Sequence, residues 1–361
     1  LAGWSGTVRA AKNAGRHWLW NTSLNFESPT LELNDLGRIG SADDIDATAQ
    51  LRYRETAPGR LFHRWNSSLF LGRSWNFGGV HTGTNWSLGN SFTLRNFTNL
   101  YLSTYGNTRA LSDDLTRGGP LMGRPGAYGF DLQLSTSDGK RTSWRGAVGY
   151  NNDDAGGWTR SISGGISARP APPWRLTLDP TWRREVSSRQ YVTALPGTAV
   201  ATFGTRYVFA YVDRNTLSAR MRVNYAFTPD LSLELYAEPF AASGHFYDFG
   251  ELPAARSHAL RTYGSDGTTI AEKADGSHEV SADGETFTIA ARDFNVLSFR
   301  SNLVLRWEWL RGSTLFVVWQ QNRSGPAVSG RAVGIGSLFD TFGSEGRNFV
   351  ALKVTYWLSA S

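Results

Sequence analysis

Alternation with a period of two residues dominates this chain. Residues 216–227 set Leu217, Ala219, Met221, Val223, Tyr225 and Phe227 against Ser218, Arg220, Arg222, Asn224 and Ala226. After a Thr228-Pro229-Asp230 turn, Leu231, Leu233, Leu235 and Ala237 alternate with Ser232, Glu234, Tyr236 and Glu238. Successive side chains on a strand point to opposite faces, so this stretch predicts a hairpin with one apolar and one charged face. Limbs of about 10 residues or more suit a tilted bilayer crossing. Aromatic residues near the limb ends suit a membrane-spanning barrel strand. The same pattern recurs at 17–28, 44–54, 294–309 and 348–359. Further strands are predicted at 61–76, 84–96, 100–107, 127–137, 141–151, 158–169, 174–184 and 313–321, with a weak one at 190–195 and a strong one at 205–212.

The connections sort by length. Counting back from a periplasmic C-terminus, the turns at 57–60, 96–99, 138–140, 170–173, 228–230 and 310–312 fall on one side. The loops at 29–43, 108–126, 243–293 and 323–347 fall on the other. Short periplasmic turns and long external loops are the habit of bacterial outer-membrane barrels, which use an even number of strands. Only 196–204 is longer than its side predicts. The expectation is therefore an all-β fold, an antiparallel transmembrane β-barrel of about 16 strands over residues 17–361. Residues 1–16 form a lead-in or partial strand, which would raise the count to 18 if 4–11 belonged to a further pair. Within the loops, 268–289 predicts a small hairpin and 332–342 a short amphipathic helix.

Composition agrees with a wall that is apolar outside and wet inside. The chain holds 14 Trp yet has a mean hydropathy of −0.35. No run of 18 apolar residues offers a helical membrane span. With no Cys, disulfides and thiolate metal sites are excluded for this chain. A net charge of +6 raises the question of nucleic acid, but the Arg residues are spread over many strands rather than gathered in one basic stretch. No signal peptide opens the chain at Leu1, which reads as a mature form or a fragment.

Candidate chemistry is sparse. Charges at polar-face positions give a lumen-facing set: Arg52, Arg145, Arg183, Arg206, Arg220, Arg222, Glu234, Glu238, Arg300, Arg306 and Glu308. They would either select solutes by charge or brace the wall as ion pairs between neighbouring strands. Loops 108–126 and 323–347 and the lead-in before His17 are the candidates to fill the bore. Trp18, Trp20, Trp86, Trp174, Trp307, Trp309 and Tyr356 suit an aromatic girdle at the membrane interfaces, with stacking on sugars as the other reading. Phe246, Tyr247, Phe249 and Tyr263 in the loops are the better candidates for ligand contact. The six His lack metal-ligand spacing, and no Ser–His pair or G-x-S-x-G is interpretable. No catalytic, cofactor or metal residues are expected, and no enzyme.

Several stretches resemble a bacterial barrel domain of unassigned function that follows, in longer proteins, a module like the family-9 carbohydrate-binding modules. They are Leu31-Glu32-Leu33-Asn34-Asp35-Leu36-Gly37 with Ala42-Asp43, Thr205-Arg206-Tyr207-Val208-Phe209-Ala210, and Thr228-Pro229-Asp230-Leu231-Ser232-Leu233 with Tyr236, Pro239-Phe240 and Glu251-Leu252. Phe316-Val317-Val318-Trp319 and Lys353-Val354-Thr355-Tyr356-Trp357 complete the set, which spans residue 17 to the end. The resemblance implies a Gram-negative outer-membrane barrel and no settled activity.

The functional expectation is a pore or uptake component of the outer membrane, with carbohydrate as the suggested solute. The alternative is a plugged, non-conducting barrel that anchors a surface or periplasmic partner. Expected partners are outer-membrane lipid and lipopolysaccharide, a carbohydrate or protein at the outer loops, and the barrel-insertion machinery, which would read the Tyr356-Trp357-Leu358 terminus. Nucleic acid is not expected.

Overall fold

A computed structural model describes residues 3–31, 42–137, 139–198, 200–325 and 332–358. Alternation becomes strand almost everywhere. The strands are β1 (Ser5–Lys12), β2 (Trp18–Glu27), β3 (Asp44–Glu55), β4 (Phe62–Trp75), β5 (His81–Leu94), β6 (Asn99–Asn107), β7 (Ala110–Ser112), β8 (Met122–Arg124), β9 (Ala127–Ser135), β10 (Thr142–Asp153) and β11 (Trp158–Ala168). They continue as β12 (Trp174–Pro196), β13 (Thr205–Thr228), β14 (Leu231–Glu251), β15 (Arg261–Thr262), β16 (Thr269–Glu272), β17 (His278–Ala282), β18 (Glu285–Ile289), β19 (Phe294–Leu310), β20 (Ser313–Gly325) and β21 (Gly346–Thr355). One short helix, α1 (Ile335–Asp340), lies in the segment expected to form one.

Among the described residues, one antiparallel sheet of 16 strands carries the fold. Fifteen follow each other in chain order from β1 to β21, with β7–β8 and β15–β18 set aside as excursions; the two-residue β15 adds the sixteenth by pairing with β14. The expected count of about 16 holds, but its membership changes. Residues 190–195 and 205–212 are not strands of their own. They are the upper parts of β12 and β13, which run for 23 and 24 residues through small bulges. Merging them moves 197–204 to the long-loop side and removes the one exception in the alternation of turn lengths. The segment before His17, expected to be a lead-in, is a full strand, its eight residues paired from Ser5↔Glu27 to Lys12↔Trp20. Of the loop expected at 29–43, residues 32–41 lie outside the described residues.

Register aligns the side chains into two unlike faces. On one face Leu132, Val148, Ile162, Trp182, Leu217, Ala241 and Leu297 stand side by side across seven neighbouring strands. Leu235, Leu303, Trp319 and Val350 extend a lower row to β21, and Trp20, Leu51, Leu69 and Leu88 cover β2 to β5. Ser, Thr, Asn, Gln, Arg and Asp fill the other face, where Asn21, Gln50 and Ser68 form a hydrogen-bonded chain across three strands. Many large side chains of the apolar face, Leu51, Ile162, Leu178, Trp319 and Leu352 among them, are exposed. Monomeric soluble proteins rarely leave so large a contiguous apolar area open. From Leu217 to Tyr225 the apolar part of β13 is about 27 Å of strand at roughly 3.4 Å per residue.

Above this wall, β12, β13 and β14 rise into a compact head. Val192, Val208, Ala210 and Phe249 pack there with Tyr263, Val280, Ala282 and Ile289 of the excursion that carries the three-stranded sheet β16–β17–β18. The small hairpin expected in 268–289 is thus a three-stranded unit with a buried face. No helix among the described residues is long and apolar enough to cross a membrane, a statement that leaves strands untouched.

The turn between β19 and β20, like that between β13 and β14, has two residues between the strands. Gly312 adopts φ +77, and a Cβ there would stand 2.9 Å from Cβ of Trp357. Gly312→Val should cost about 1–3 kcal/mol through backbone strain. The check is the urea midpoint of the folded protein in micelles, where an unchanged midpoint would contradict this account.

Candidate functional site

The polar face is the one place where charged side chains converge. β10 and β12 place Arg145 and Asp179 on it, joined at 2.5 Å across β11, which presents Gly165 between them. Higher up, Glu185 of β12 accepts from Arg183 at 2.6 Å and from Arg214 of β13 at 2.8 Å. Arg220 of β13 reaches Glu238 of β14 at 3.4 Å, Tyr236 donates to the same carboxylate, and Arg222 lies 5.5 Å from the centre of the Tyr236 ring. Arg306 and Glu308 pair within β19 at 3.0 Å. Arg52, Glu234 and Arg300 occupy polar-face positions on β3, β14 and β19, are exposed, and make no ion pair among the described residues. The expected three-strand brace is therefore partial: the β13–β14 link exists, while β19 pairs internally.

Arg206 departs from expectation. It has the parity of Arg214 and Arg220 but lies in the head, at 3% exposure, where the β16–β18 unit covers that side of β13. Its guanidinium binds Glu251, reaches Glu285 at 3.3 Å and Asp283 at 3.4 Å, and lies 5.0 Å from the Phe287 ring centre. Tyr263 donates to Glu251 at 3.1 Å, and Arg261 joins Glu251 to Asp283. Burial and the adjacent Glu251 charge push the Tyr263 hydroxyl well above its usual range. Hydrogen bonding from Arg261, together with the Arg206 charge, outweighs desolvation and holds Asp283 below the ordinary carboxylate range. Phe249 and Tyr263, expected to be exposed ligand contacts, belong to this head's buried core, with Phe246 packed at its edge.

Over the polar face lies the 108–126 excursion. β7 and β8 pair as a two-stranded ribbon, with Ser112 opposite Met122. On one side β7 packs on β5, and the ribbon closes a cavity of about 500 Å³ with Asp44, Asp46, Ser74 and Asn85 of the wall. On the other, Met122 is fully buried against Phe209 of β13 and Leu252, and Gly123 and Leu121 hydrogen-bond to Ser257 and Arg256. In a flat sheet β5 and β13 would lie six inter-strand steps apart, about 29 Å at roughly 4.8 Å per step. A ribbon two strands wide touches both, so the sheet does not lie flat; on β13 it meets Phe209, which has the parity of Leu217. The other expected fillings lie elsewhere: β1 is part of the sheet. From the 323–347 loop, Val333 and Leu338 pack on Leu217, Ala241 and Leu297 of the apolar face. Residues 326–331 of that loop lie outside the described residues.

Aromatic residues gather at the short-turn rim of the apolar face. Trp18 meets Tyr53 at 5.0 Å, Tyr53 meets Trp65 at 4.9 Å, Trp174 meets Tyr225 at 4.3 Å, and Trp307 meets Trp309 at 6.3 Å. Tyr356 follows β21 at the same rim, exposed. Trp20 stands one pair further in, beside Leu51, and Trp86 lies toward the long-loop end, opposite Leu71 and Gly106. Tyr53, Trp65 and Tyr225 were missing from the expected set. Their signal was present in the same parity, at the first or last apolar position of a strand. Also missing were Arg64, Arg141, Arg169 and Arg175, which sit beside short turns, where a cation reads as ordinary solvation.

One family matches the chain, over residues 1–360; its description is "Domain of unknown function (DUF5916)". No curated protein and no solved structure matches.

Breaking the buried Arg206–Glu251 pair from one side strands a charge, at a cost of about 3–5 kcal/mol. Arg206→Ala should therefore open the head to protease within 252–293 while the wall stays folded. Arg206→Met with Glu251→Leu should restore much of the resistance, and equal lability of both variants would sink the assignment. Because the Asp283 pKa is lowered, its contribution is complete above the unfolded value of about 3.9 and is lost as the pH falls through the folded value. Protease sensitivity of the same segment should accordingly rise only in that acid range.

Proposed function

The chain belongs to this family of unknown function, and from its own geometry we propose that it forms a transmembrane β-barrel of the bacterial outer membrane whose polar interior passes solutes. The observation that carries the proposal is the broad apolar face, exposed across the main sheet and edged at one rim by Trp and Tyr, opposite a polar face. Lipid is the solvent that makes such an exterior favourable, and aromatic residues at its border are the usual interface anchors. The final strand with Tyr356-Trp357-Leu358 serves as the recognition end for the insertion machinery. Carbohydrate, suggested by the module that accompanies similar domains, is the solute class to test first, and lipopolysaccharide is the neighbour at the long-loop rim. No catalysis is proposed.

The closure of the wall follows from parity. β1 and β21 are the first and last of 15 strands that each run antiparallel to the next, so they point the same way. Among the described residues neither outer edge has a partner, and β1 is exposed along its whole length. Joining them directly would make a parallel seam. One further strand between them, or another odd number, keeps every pairing antiparallel and makes the total even, as in bacterial single-chain barrels.

A specific observation also favours the second reading. The β7–β8 ribbon packs on β5 at one side and on Phe209 of β13 at the other, a layer that would narrow or close the passage. The barrel would then act as an anchor whose outer head holds a partner.

Single-channel recording in planar bilayers separates the two. The pore reading expects conductance steps that grow when residues 112–122 are replaced by a short Gly-Ser linker. Silence from both folded proteins would establish the anchor instead. Seam closure is tested with Val8→Cys combined in turn with Val350→Cys, Ala351→Cys and Leu352→Cys. An intervening strand separates the edges by about 9–10 Å, too far for a disulfide. A disulfide would show the two edges in direct contact, whereas joining only by a longer bis-maleimide would show them held apart.

A further inference from the structure

At the short-turn end of the polar face, residues of β4 to β12 and their turns line a cavity of about 600 Å³. Among the described residues its lining holds six cations, Arg64, Lys140, Arg141, Arg145, Arg169 and Arg175, and one carboxylate, Asp179. That single acid is already engaged by Arg145 at 2.5 Å. Arg64 touches only the Thr93 hydroxyl, at 3.4 Å, and Lys140, Arg141, Arg169 and Arg175 make no ion pair among the described residues. The contrast with the rest of the face is sharp. Near the head, Arg183 and Arg214 share Glu185, and Arg220 has Glu238. In this cavity only Arg145 has a carboxylate partner among the described residues.

The chemistry of the lining is uniform. Five cations without carboxylate partners converge on a space bordered by hydroxyls from Ser135, Thr136, Ser143, Ser167 and Thr177. Guanidinium groups bind carboxylate, sulfate and phosphate through paired N–H donors, and hydroxyls add weaker donors between them. Like charges held on a rigid wall also repel each other, so an anion relieves a cost the wall already carries. The volume admits more than one anionic group. We infer that this cavity is a binding site for a small polyanion, a solute bearing two or more phosphate, sulfate or carboxylate groups, an acidic sugar included. The inference rests on the barrel reading for its place on the solute path, but binding itself requires no conduction.

The test is calorimetry on the full chain folded in micelles, at low salt, with pyrophosphate, tetragalacturonate and the neutral maltotetraose. Both anions should bind and the neutral sugar should not. Affinity should fall as salt rises, since exposed charges are screened within about 10 Å at 0.1 M. Arg64→Gln with Arg175→Gln should weaken pyrophosphate at least about tenfold, the scale of one charged hydrogen bond or more. The charge-matched pair Lys12→Gln with Lys273→Gln should change it by less than about twofold. Arg141→Gln alone, which leaves the backbone bond from Arg169 to the residue-141 carbonyl in place, should weaken binding about threefold or more and guards against misfolding of the double variant. Equal losses in the two double variants would overturn the site, as would binding of maltotetraose with anion-like affinity. Binding that appears only after phosphatidylglycerol is added to the micelles would assign the anion to lipid and overturn a solute site. A silent protein that binds pyrophosphate keeps the site and removes the open pore, whereas a conducting protein that binds no anion removes the site alone.

Discussion

Strand parity is the constraint on which the rest of this molecule depends. Each strand of the main sheet sends alternate side chains to opposite faces, and the antiparallel register carries that choice to its neighbour. A slip of one residue between β13 and β14 would turn Leu217, Met221 and Val223 to the polar side and Arg220 and Arg222 to the apolar one. The pairing of Met221 with Ala237 and of Arg222 with Tyr236 shows both faces held in step. With one face so apolar and the other so charged, every strand has a single affordable register.

Where that constraint acts alone, the sequence is easy to read. The alternation in 44–54, 216–238 and 294–309 places its strands, and the lengths of the turns orient them. Where a second layer covers the sheet, the same signal misleads. Arg206 keeps the parity of the polar face, yet the β16–β18 unit buries it, because Glu251 and Tyr263 come from segments 45 and 57 residues further along. Phe249 and Tyr263 looked like exposed loop aromatics for the same reason. Long-range packing leaves no local periodicity behind. Strand length misled in another way: the bulges near Ser187–Gln190 and Tyr191–Thr193 interrupt the alternation, so one long strand reads as two.

Two kinds of electrostatics coexist on the one sheet. In the head, the Arg206 network is buried and compensated, with three carboxylates around two guanidinium groups, and it fixes how the excursion docks. On the polar face the charges are largely exposed, and five cations around one cavity have no carboxylate partner among the described residues. The first arrangement gives the fold specificity at the expense of desolvation. The second gives it a field, because exposed cations set within a curled, low-dielectric wall add their potentials.

The segment around α1 bears on how copies of this protein would sit beside one another. Val333 and Leu338 lie on Leu217, Ala241 and Leu297, and Asn215 holds the Val333 carbonyl at 2.6 Å, so the segment is fastened to the wall rather than laid against it. Ile335 and Phe339 point away, exposed. This raises a ridge over β13, β14 and β19 on an otherwise smooth exterior. A neighbour with a flat wall would meet the ridge before it met the strands. The sheet is thus two layers deep over β13, β14 and β19, where its apolar face is partly covered from within the chain.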